Sequence, residues 1–280
     1  MTKIRAVILL AFAVFWGING SVAAEQSLDF VIIQPGQPGT EAEARPVMDA
    51  LAGYLQQKMG VGVKIQGRYF NRLDPAMAFL ESSSPAWGIV GLGVYARHWR
   101  RFQMSPMAAT RPGGFEKDVW RLMAANDAPS DWRLLAGRVR GNMLFETDAA
   151  ACLLFEMPSV QLPFILAGTF RPLRSARSAV KGKIAGVVLD RIQYKALPAL
   201  SVGRKIKVVH TSRELPTSPV VWFGTVNEAT KKLAGVLQGM KGDANAEKLL
   251  ALLQTDGFGP ADADLLQFRC GDKKGVCFIP

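Results

Sequence analysis

Histidine is nearly missing from this chain, and most of the chemistry that enzymes build on imidazole is missing with it. Only His98 and His210 occur in 280 residues, so a histidine-rich metal site is excluded. The H-E-x-x-H, G-x-S-x-G and G-x-x-x-x-G-K signatures are absent as well. We expect His98 to be exposed on a helix and His210 to be a structural histidine with satisfied ring nitrogens. The sequence therefore predicts a protein that is not an enzyme and has no metal and no cofactor.

Cysteine is also scarce, with three residues in all. Cys270 and Cys277 bracket six residues near the C-terminus, a spacing that suits a small disulfide loop in an oxidising compartment. Cys152 lies in an apolar stretch, where we expect a buried thiol rather than a reactive one. No cysteine pair has the spacing of a zinc site with histidines nearby.

Long apolar runs are missing except near the N-terminus. Lys3 and Arg5 precede an apolar run at residues 6–16, and small residues at 22–24 offer a cleavage site after Ala24. The run is shorter than the ~20 residues that a membrane-spanning helix needs. We therefore expect residues 1–24 to be a cleaved signal peptide and the mature chain to be periplasmic.

Acidic residues are outnumbered by basic ones. The chain has 34 Lys and Arg against 23 Asp and Glu, a formal charge of +11. Such an excess indicates either an anionic partner or a well-solvated basic surface. The basic residues are scattered and the chain is expected to be exported, so we expect no nucleic-acid partner. Hydrophobic residues make up 49% of the chain, enough for one large domain or two lobes.

The remaining pattern alternates strands and helices. The first 110 residues follow the order β-α-β-α-β-α-β, which predicts a parallel sheet covered by helices. Thr40 and Glu43 resemble a capping box, but Pro46 suggests a helix start near Arg45. The alternation resumes after a Pro/Gly boundary at residues 111–114, with Asn227 capping a later helix. We expect strands at residues 28–33, 61–66, 87–92, 106–110, 119–124, 142–145, 164–166, 184–189, 206–210 and 220–223, and a turn at residues 69–72.

One motif suggests a nucleotide. Residues 91–96 fit G-x-G-x-x-A between a strand and a helix, the arrangement of a dinucleotide site. The motif follows the third strand rather than the first, and no acidic residue ends the next strand to bind a ribose. Close backbone packing at a strand-to-helix turn is the better interpretation.

Four stretches, at residues 45–55, 88–95, 184–190 and 211–220, resemble the phosphonate-type periplasmic substrate-binding proteins of ABC importers. The resemblance runs from about Phe30 to Phe258. It implies the type II periplasmic-binding-protein fold: two α/β lobes, each a mostly parallel sheet flanked by helices, joined by two hinge crossings near residues 110–111 and 211–212. Residues 25–110 and 212–280 would form the first lobe, and residues 111–211 the second. Hinge motion would close the lobes on a ligand.

The same resemblance implies that Tyr69, Tyr95 and Asp190 face the cleft between the lobes. Ligands in open α/β sheets bind beyond the carboxyl ends of the strands. Further polar side chains are expected at these ends, namely Asn71, Thr147, Asp148 and Tyr194.

The sequence departs from the family at the start of the second-lobe helix. The family has a Ser/Thr-rich segment there, whereas this chain has Glu146, Thr147 and Asp148. A buried carboxylate would repel a phosphonate, so a cationic, zwitterionic or neutral ligand fits at least as well. Alternatively, Asp148 only caps the helix and Glu146 points to solvent.

These observations lead to one functional prediction and one alternative. We expect a monomeric solute-binding protein that captures a small-molecule ligand for the membrane permease of an ABC importer. The alternative is a periplasmic sensing or accessory protein that uses the same fold to signal to, or bind, a membrane protein.

Overall fold

The computed structural model describes residues 26–60 and 62–268. The predicted signal peptide and the predicted Cys270–Cys277 disulfide lie outside these residues. Cys152 is bonded in a disulfide, which corrects the expectation of a buried thiol. The strands within the described ranges are β1 (Gln26–Ser27), β2 (Phe30–Ile33), β3 (Val63–Lys64), β4 (Gly67–Phe70), β5 (Trp87–Val90), β6 (Met104–Thr110), β7 (Lys117–Asp118), β8 (Arg121–Ala125), β9 (Gly137–Gly141), β10 (Phe164–Gly168), β11 (Gly186–Leu189), β12 (Ile206–Thr211), β13 (Leu215–Pro216), β14 (Pro219–Phe223) and β15 (Phe258–Pro260). The α-helices there are α1 (Glu41–Met59), α2 (Leu73–Ser82), α3 (Leu92–His98), α4 (Thr147–Phe155), α5 (Pro172–Val180), α6 (Arg191–Ala196), α7 (Glu228–Gly239) and α8 (Glu247–Leu252).

A six-stranded sheet in the order β15-β6-β14-β5-β2-β4 forms, with its helices, what we call lobe 1. Strands β2, β4, β5 and β6 point the same way, as strand–helix–strand crossovers require. Strand β14 enters antiparallel between β5 and β6, and β15 adds antiparallel at the edge. Helices α1, α7 and α8 cover one face through a core that includes Leu51, Leu55, Trp87 and Leu237.

A five-stranded sheet in the order β10-β9-β11-β8-β12 forms lobe 2. Here β8 is the antiparallel strand, inserted between β11 and β12. Helix α5 packs on one face through Ala176 and Ala179, against Met123, Val187 and Leu189 of the sheet. Each sheet is thus mixed, with one or two strands reversed. The predicted two-lobed α/β fold is confirmed.

The lobes are joined by two chain crossings and by a shared hydrophobic core. The crossings run alongside each other, because β7 pairs antiparallel with β13 and the Thr217 hydroxyl donates to the Thr110 carbonyl oxygen at 2.5 Å. One cluster of buried side chains runs from the lobe 1 sheet through α3 and α4 into lobe 2, and it includes Val31, Ile33, Tyr95, Leu154 and Val188. The lobes therefore contact each other through α3 and α4 as well as through the crossings.

Three predicted elements were wrong in their bounds or type. Helix α1 begins at Glu41, not near Arg45, because the Thr40–Glu43 capping box fixes its start; Pro46 is therefore its sixth residue. The expected turn at residues 69–72 begins inside β4, since Tyr69 and Phe70 pair with β2. The expected strand at residues 142–145 is a 3₁₀ segment, because pairing between β9 and β10 ends at Gly141.

None of the helices within the described ranges is both long and apolar enough to cross a bilayer.

Candidate functional site

A cavity of about 450 Å³ opens between the two sheets. Lobe 1 contributes the loop after β2, with Gln34 and Gln37, and the turn after β5 at residues 91–94. Lobe 2 contributes residues 142, 143, 145 and 146 after β9 and residues 190–193 after β11. The crossings complete the wall, together with the chain after α8. The cavity therefore lies at the carboxyl ends of parallel strands, where ligands bind in open α/β sheets.

The two walls approach closely at Gly36. This residue has a φ of +87°, in the region that favours glycine, and a Cβ there would lie 2.5 Å from the Asn142 carbonyl oxygen. The ring of Phe145 would be only 2.8 Å from the same Cβ. A larger residue at position 36 would therefore push the lobe 1 loop away from lobe 2.

A hydrogen bond between side chains joins the walls beside the cavity. His98 of α3 lies with its Nε2 2.5 Å from Glu146 Oε1, and both side chains are mostly buried. The expectation of an exposed His98 was wrong, because α3 packs against the start of α4 and brings the imidazole under lobe 2. Glu146 itself lines the cavity rather than pointing to solvent.

Two further charged groups of the lining are already occupied by protein partners. Asp118 accepts N–H groups from the backbone of Val119 and Arg191 and from the Trp120 indole, at 2.7 to 3.1 Å. Lys117 Nζ lies 2.6 Å from Asp262 and 2.7 Å from Asp264. Burial lowers the pKa of Lys117, but hydrogen bonds and attraction from the two carboxylates outweigh it and raise that pKa.

Among the acidic side chains of the lining, Asp190 has a shifted pKa. It caps α6, accepting the backbone N–H of Gln193 at 2.7 Å. Burial, with a smaller contribution from the nearby Asp118 charge, raises the pKa of Asp190 to about 6. Asp190 is therefore mostly ionised at neutral pH and takes up a proton in mild acid.

Two polar atoms of the lining are buried without a partner among the described residues, Asn142 Oδ1 and Arg191 Nε. Asn142 is only 6% exposed. The Arg191 guanidinium lies 4.8 Å above the ring of Phe115, which also lines the cavity. An unpaired buried acceptor or donor costs about 1–3 kcal/mol, which makes both residues candidates for contact with a bound molecule. Neither residue is among the seven ligand-binding residues predicted from the sequence.

Apolar side chains make up much of the remaining lining, among them Phe115, Trp120, Phe145 and Ile192. Ligand pockets typically combine such a surface with a few placed polar groups. Within the described ranges, no three His, Cys, Asp or Glu side chains group in a way that could hold a metal ion.

Of the seven predicted ligand-binding residues, Asp190 lines the cavity. Tyr69 and Asn71 lie behind it, where they support the loop after β2. The Tyr69 hydroxyl donates to the Pro38 carbonyl at 3.0 Å, and burial raises the pKa of Tyr69 to about 12. The Asn71 amide donates to the carbonyl groups of Gln37 and Gly39.

The other four predicted residues also lie outside the cavity lining. Tyr95 is fully buried in the core that both lobes share. Thr147 lines a separate shallow cavity beside β10, and Asp148 accepts a hydrogen bond from Ser159. The ring of Tyr194 lies 4.4 Å from the Arg121 guanidinium carbon. Contact between these residues and a ligand stays a prediction.

The second histidine is structural, as expected. His210 Nε2 lies 2.7 Å from the Leu154 carbonyl oxygen, and its imidazole stacks on Phe155.

Residues 174–266 match the model of a family described as the periplasmic phosphonate substrate-binding protein of ABC transporters. The resemblance to phosphonate-type substrate-binding proteins is confirmed. No curated protein matches this chain in sequence.

Solved structures of similar proteins share the fold. XAC2383 from Xanthomonas citri has been solved with chloride and with ATP, and both structures are 17% identical to this chain with a TM-score of 0.67. The alignments cover 86% of this chain for the chloride structure and 87% for the ATP structure, and 95% of XAC2383 in both. PA3383 from Pseudomonas aeruginosa, a binding protein of an ABC phosphonate transporter, is 17% identical with a TM-score of 0.60, over 87% of this chain and 84% of its own. PhnD1 from Prochlorococcus marinus, in complex with methylphosphonate, is 10% identical with a TM-score of 0.56, over 86% of this chain and 94% of its own.

Proposed function

We propose that this chain is a periplasmic solute-binding protein that captures a small molecule between its lobes and delivers it to the permease of an ABC importer. The observation that carries the proposal is the cavity of about 450 Å³, which both lobes line. Its lining includes Asn142 and Arg191, each of which has a buried polar atom without a partner among the described residues. That volume suits a small solute. The family match supports the same role.

Several further properties belong to this proposal. Residues 1–24 would direct export and be removed, and the mature chain would act as a monomer. The matched family is one of substrate-binding proteins, and we infer that this chain likewise catalyses no reaction.

The charges around the cavity favour a ligand that carries a hydrogen-bond donor. Three carboxylates line it, those of Asp118, Glu146 and Asp190, against the cations Lys117 and Arg191. Lys117 is already held by two aspartates outside the lining. A dianion would enter against this balance, whereas an ammonium or hydroxyl group could donate to lone pairs that remain on the Asp190 and Glu146 carboxylates. We therefore propose a cationic, zwitterionic or neutral polar solute, with Arg191 available for an acceptor group.

The proposal is tested by native mass spectrometry of the freshly purified full chain, followed by a thermal-shift screen. The screen compares amino acids, polyamines and an aminoalkylphosphonate with methylphosphonate and inorganic phosphate. Because ligand binding stabilises by RT ln(1 + [L]/Kd), a true ligand at a hundredfold excess over Kd should raise the melting temperature by roughly 5–10 °C.

We expect the shift from compounds that carry an ammonium or neutral donor group. A shift from phosphate and methylphosphonate alone would overturn the proposed ligand class while leaving solute capture intact. No retained mass and no shift from any of these compounds would argue against solute capture itself.

A further inference from the structure

One side of lobe 2 carries basic side chains without acidic ones among them. The segments 132–145 and 157–189, which include β9, β10, α5 and β11, contain three and five Lys or Arg residues and no Asp or Glu. Seven of these cations form what we call the basic face: Arg138, Arg140, Arg171, Arg174, Arg177, Lys181 and Lys183. Within residues 26–60 and 62–268, none of the seven pairs with a carboxylate.

Strand pairing places two of these arginines on the side of the sheet that α5 covers. Arg140 of β9 lies beside Val187 of β11, and Val187 belongs to the same buried cluster as Ala176 of α5. Paired residues of neighbouring parallel strands project to the same side of a sheet, and so do residues two apart on one strand. Arg138 therefore projects with Arg140, and so does Ile165 of β10, which is paired with Arg138.

The outer side of α5 continues the basic face. Ala176 and Ala179 of this helix are buried against the sheet. Arg174, Arg177 and Lys181 follow one another at intervals of three and four residues, which places them together on the side away from the sheet. All three are exposed, so the outward surface of α5 is cationic along its length.

The remaining two cations lie at the two ends of α5. Arg171 directly precedes the helix, and Lys183 follows its last residue by three positions. The backbone N–H of Ala185 donates to the Arg138 carbonyl oxygen at 2.8 Å, which brings Lys183 close to the start of β9. The basic face is therefore one continuous surface that consists of α5, its two ends and the neighbouring part of the sheet.

Exposed apolar side chains border the basic face along β10, the edge strand of the lobe 2 sheet. Helix α5 packs over β8 and β11 and leaves Ile165 of β10 66% exposed. Val160 is 87% exposed and lines the same shallow cavity as Ile165. Phe170 is 42% exposed, and its ring packs 5.1 Å from that of Phe145 in the lining of the larger cavity. The same side of the lobe thus presents both cations and apolar groups.

We propose that the basic face binds the anionic headgroups of a phospholipid bilayer, with Val160, Ile165 and Phe170 entering the headgroup region. Clusters of about four to eight Lys and Arg attract anionic lipids, and each cation near such a surface strengthens binding about fivefold. Binding of this kind grows with the apolar area that enters the interface. The chain's overall excess of positive charge acts in the same direction.

The distribution of charge favours a bilayer over an acidic protein. The centre of a specific protein interface is depleted of charged residues, and of Lys in particular. The centre of the basic face is the outer side of α5, which carries Arg174, Arg177 and Lys181. A layer of anionic headgroups leaves these cations hydrated while it neutralises them. This surface lies outside the cavity lining, so the proposal goes beyond solute capture and does not depend on it.

Cosedimentation with lipid vesicles tests the proposal. The exported protein is mixed with vesicles of equal parts phosphatidylglycerol and phosphatidylcholine, or of phosphatidylcholine alone. We expect binding to the anionic vesicles that is at least tenfold tighter than to the neutral ones. Raising NaCl from about 50 mM to about 0.5 M should weaken that binding tenfold or more, because salt screens exposed charges. No binding to the anionic vesicles in the lower salt would overturn the proposal and leave an acidic protein as the partner of this face.

A triple variant tests whether α5 makes the contact. It removes the three outward cations of the helix: Arg174→Gln, Arg177→Gln and Lys181→Gln. Glutamine is a good helix former and the three side chains are exposed, so we expect the melting temperature to stay near that of the wild type. Binding to the anionic vesicles should weaken tenfold or more.

A matched triple variant removes the same charge from lobe 1. It replaces three exposed cations that also have no carboxylate partner within the described residues: Arg45→Gln, Lys64→Gln and Lys248→Gln. We expect its binding to change less than threefold. Any contribution from the apolar run at residues 6–16 is common to both variants. Equal weakening in both would show that binding follows net charge alone and would contradict a lipid-binding face.

A second pair of variants tests the apolar border. Val160→Ser/Ile165→Ser should weaken binding to the anionic vesicles several-fold, because less apolar area then enters the bilayer. The matched control is Val226→Ser/Leu252→Ser, at lobe 1 positions that are 48% and 59% exposed, and its binding should stay unchanged. Undiminished binding of Val160→Ser/Ile165→Ser would contradict the entry of these side chains into the headgroup region.

Discussion

At the scale of single residues, Asp118 and Asp190 show how neighbours decide what a carboxyl group does. Asp118 accepts three N–H groups and so serves to join the first crossing to the start of α6. Asp190 is buried close to that charge, and its pKa is raised to about 6. Two side chains of the same type in one cavity lining therefore differ: Asp118 joins two segments of the chain, and Asp190 has a raised pKa.

Asp190→Asn should change the pH dependence of stability. The folded state holds the Asp190 proton more tightly than the unfolded chain does, so this group lowers the free energy of unfolding as pH rises from about 4 to about 6. Asparagine keeps the N-cap acceptor but does not titrate. The stability of the variant relative to wild type should therefore grow by about 2–3 kcal/mol between pH 4 and pH 7.

Urea unfolding at several pH values between 4 and 8 measures this difference. Parallel profiles for the variant and wild type would show that Asp190 does not carry the raised pKa.

A site residue could be predicted from the sequence where its place at the end of a strand decides its position. It could not be predicted where the packing of one lobe against the other decides that position. Asp190 was expected to face the cleft at a strand end, and it lines the cavity. Asn142 and Phe115 depend on how one lobe meets the other across the crossings. No spacing along the chain encodes that distance, so neither residue could be predicted from the sequence.

At the scale of elements, side-chain caps fix where several helices begin. Reciprocal capping boxes start α1 at Thr40, α6 at Asp190 and α7 at Asn227. The Thr40 signal was visible in the sequence, yet Pro46 suggested a later start. Because the box satisfies the first backbone N–H groups, helix α1 begins at Glu41 rather than near Arg45. The helix therefore contains the proline and lacks one backbone hydrogen bond there.

Thr40→Ala should destabilise the protein by about 1 kcal/mol, because it removes the acceptor of the Glu43 backbone N–H. Thr40 is exposed, so little packing is lost with it. Thr40→Ser keeps the hydroxyl and is the matched control, for which we expect a change of only a few tenths of a kcal/mol. Equal losses for both variants in chemical denaturation would show that the cap does not stabilise α1.

The order of strands in a sheet could not be predicted from the hydrophobic pattern of the sequence. The apolar run Pro219–Phe223 indicates a buried strand, but it does not indicate the partners of that strand. Its insertion between β5 and β6 follows from the return of the chain into lobe 1 through the second crossing, which is a long-range property of the topology.

At the scale of the whole molecule, two sheets, two hydrogen-bonded crossings and one shared core position a cavity between the lobes. The order of strands and helices predicted the α/β class, and the resemblance to a known family predicted the two lobes. The mixed direction of each sheet and the contact between α3 and α4 emerge only from the assembled fold. The central claim is that this cavity binds one solute.

Calorimetric titration of the compound with the largest thermal shift tests that claim most directly. Wild type, Asn142→Ala and the matched control Asn126→Ala are compared; Asn126 is exposed in lobe 2, and its amide donates to the Arg204 carbonyl outside the cavity. We predict one solute per chain, a dissociation constant weakened about tenfold or more by Asn142→Ala, and no change from Asn126→Ala. Binding that is equally tight in wild type and Asn142→Ala would contradict the account.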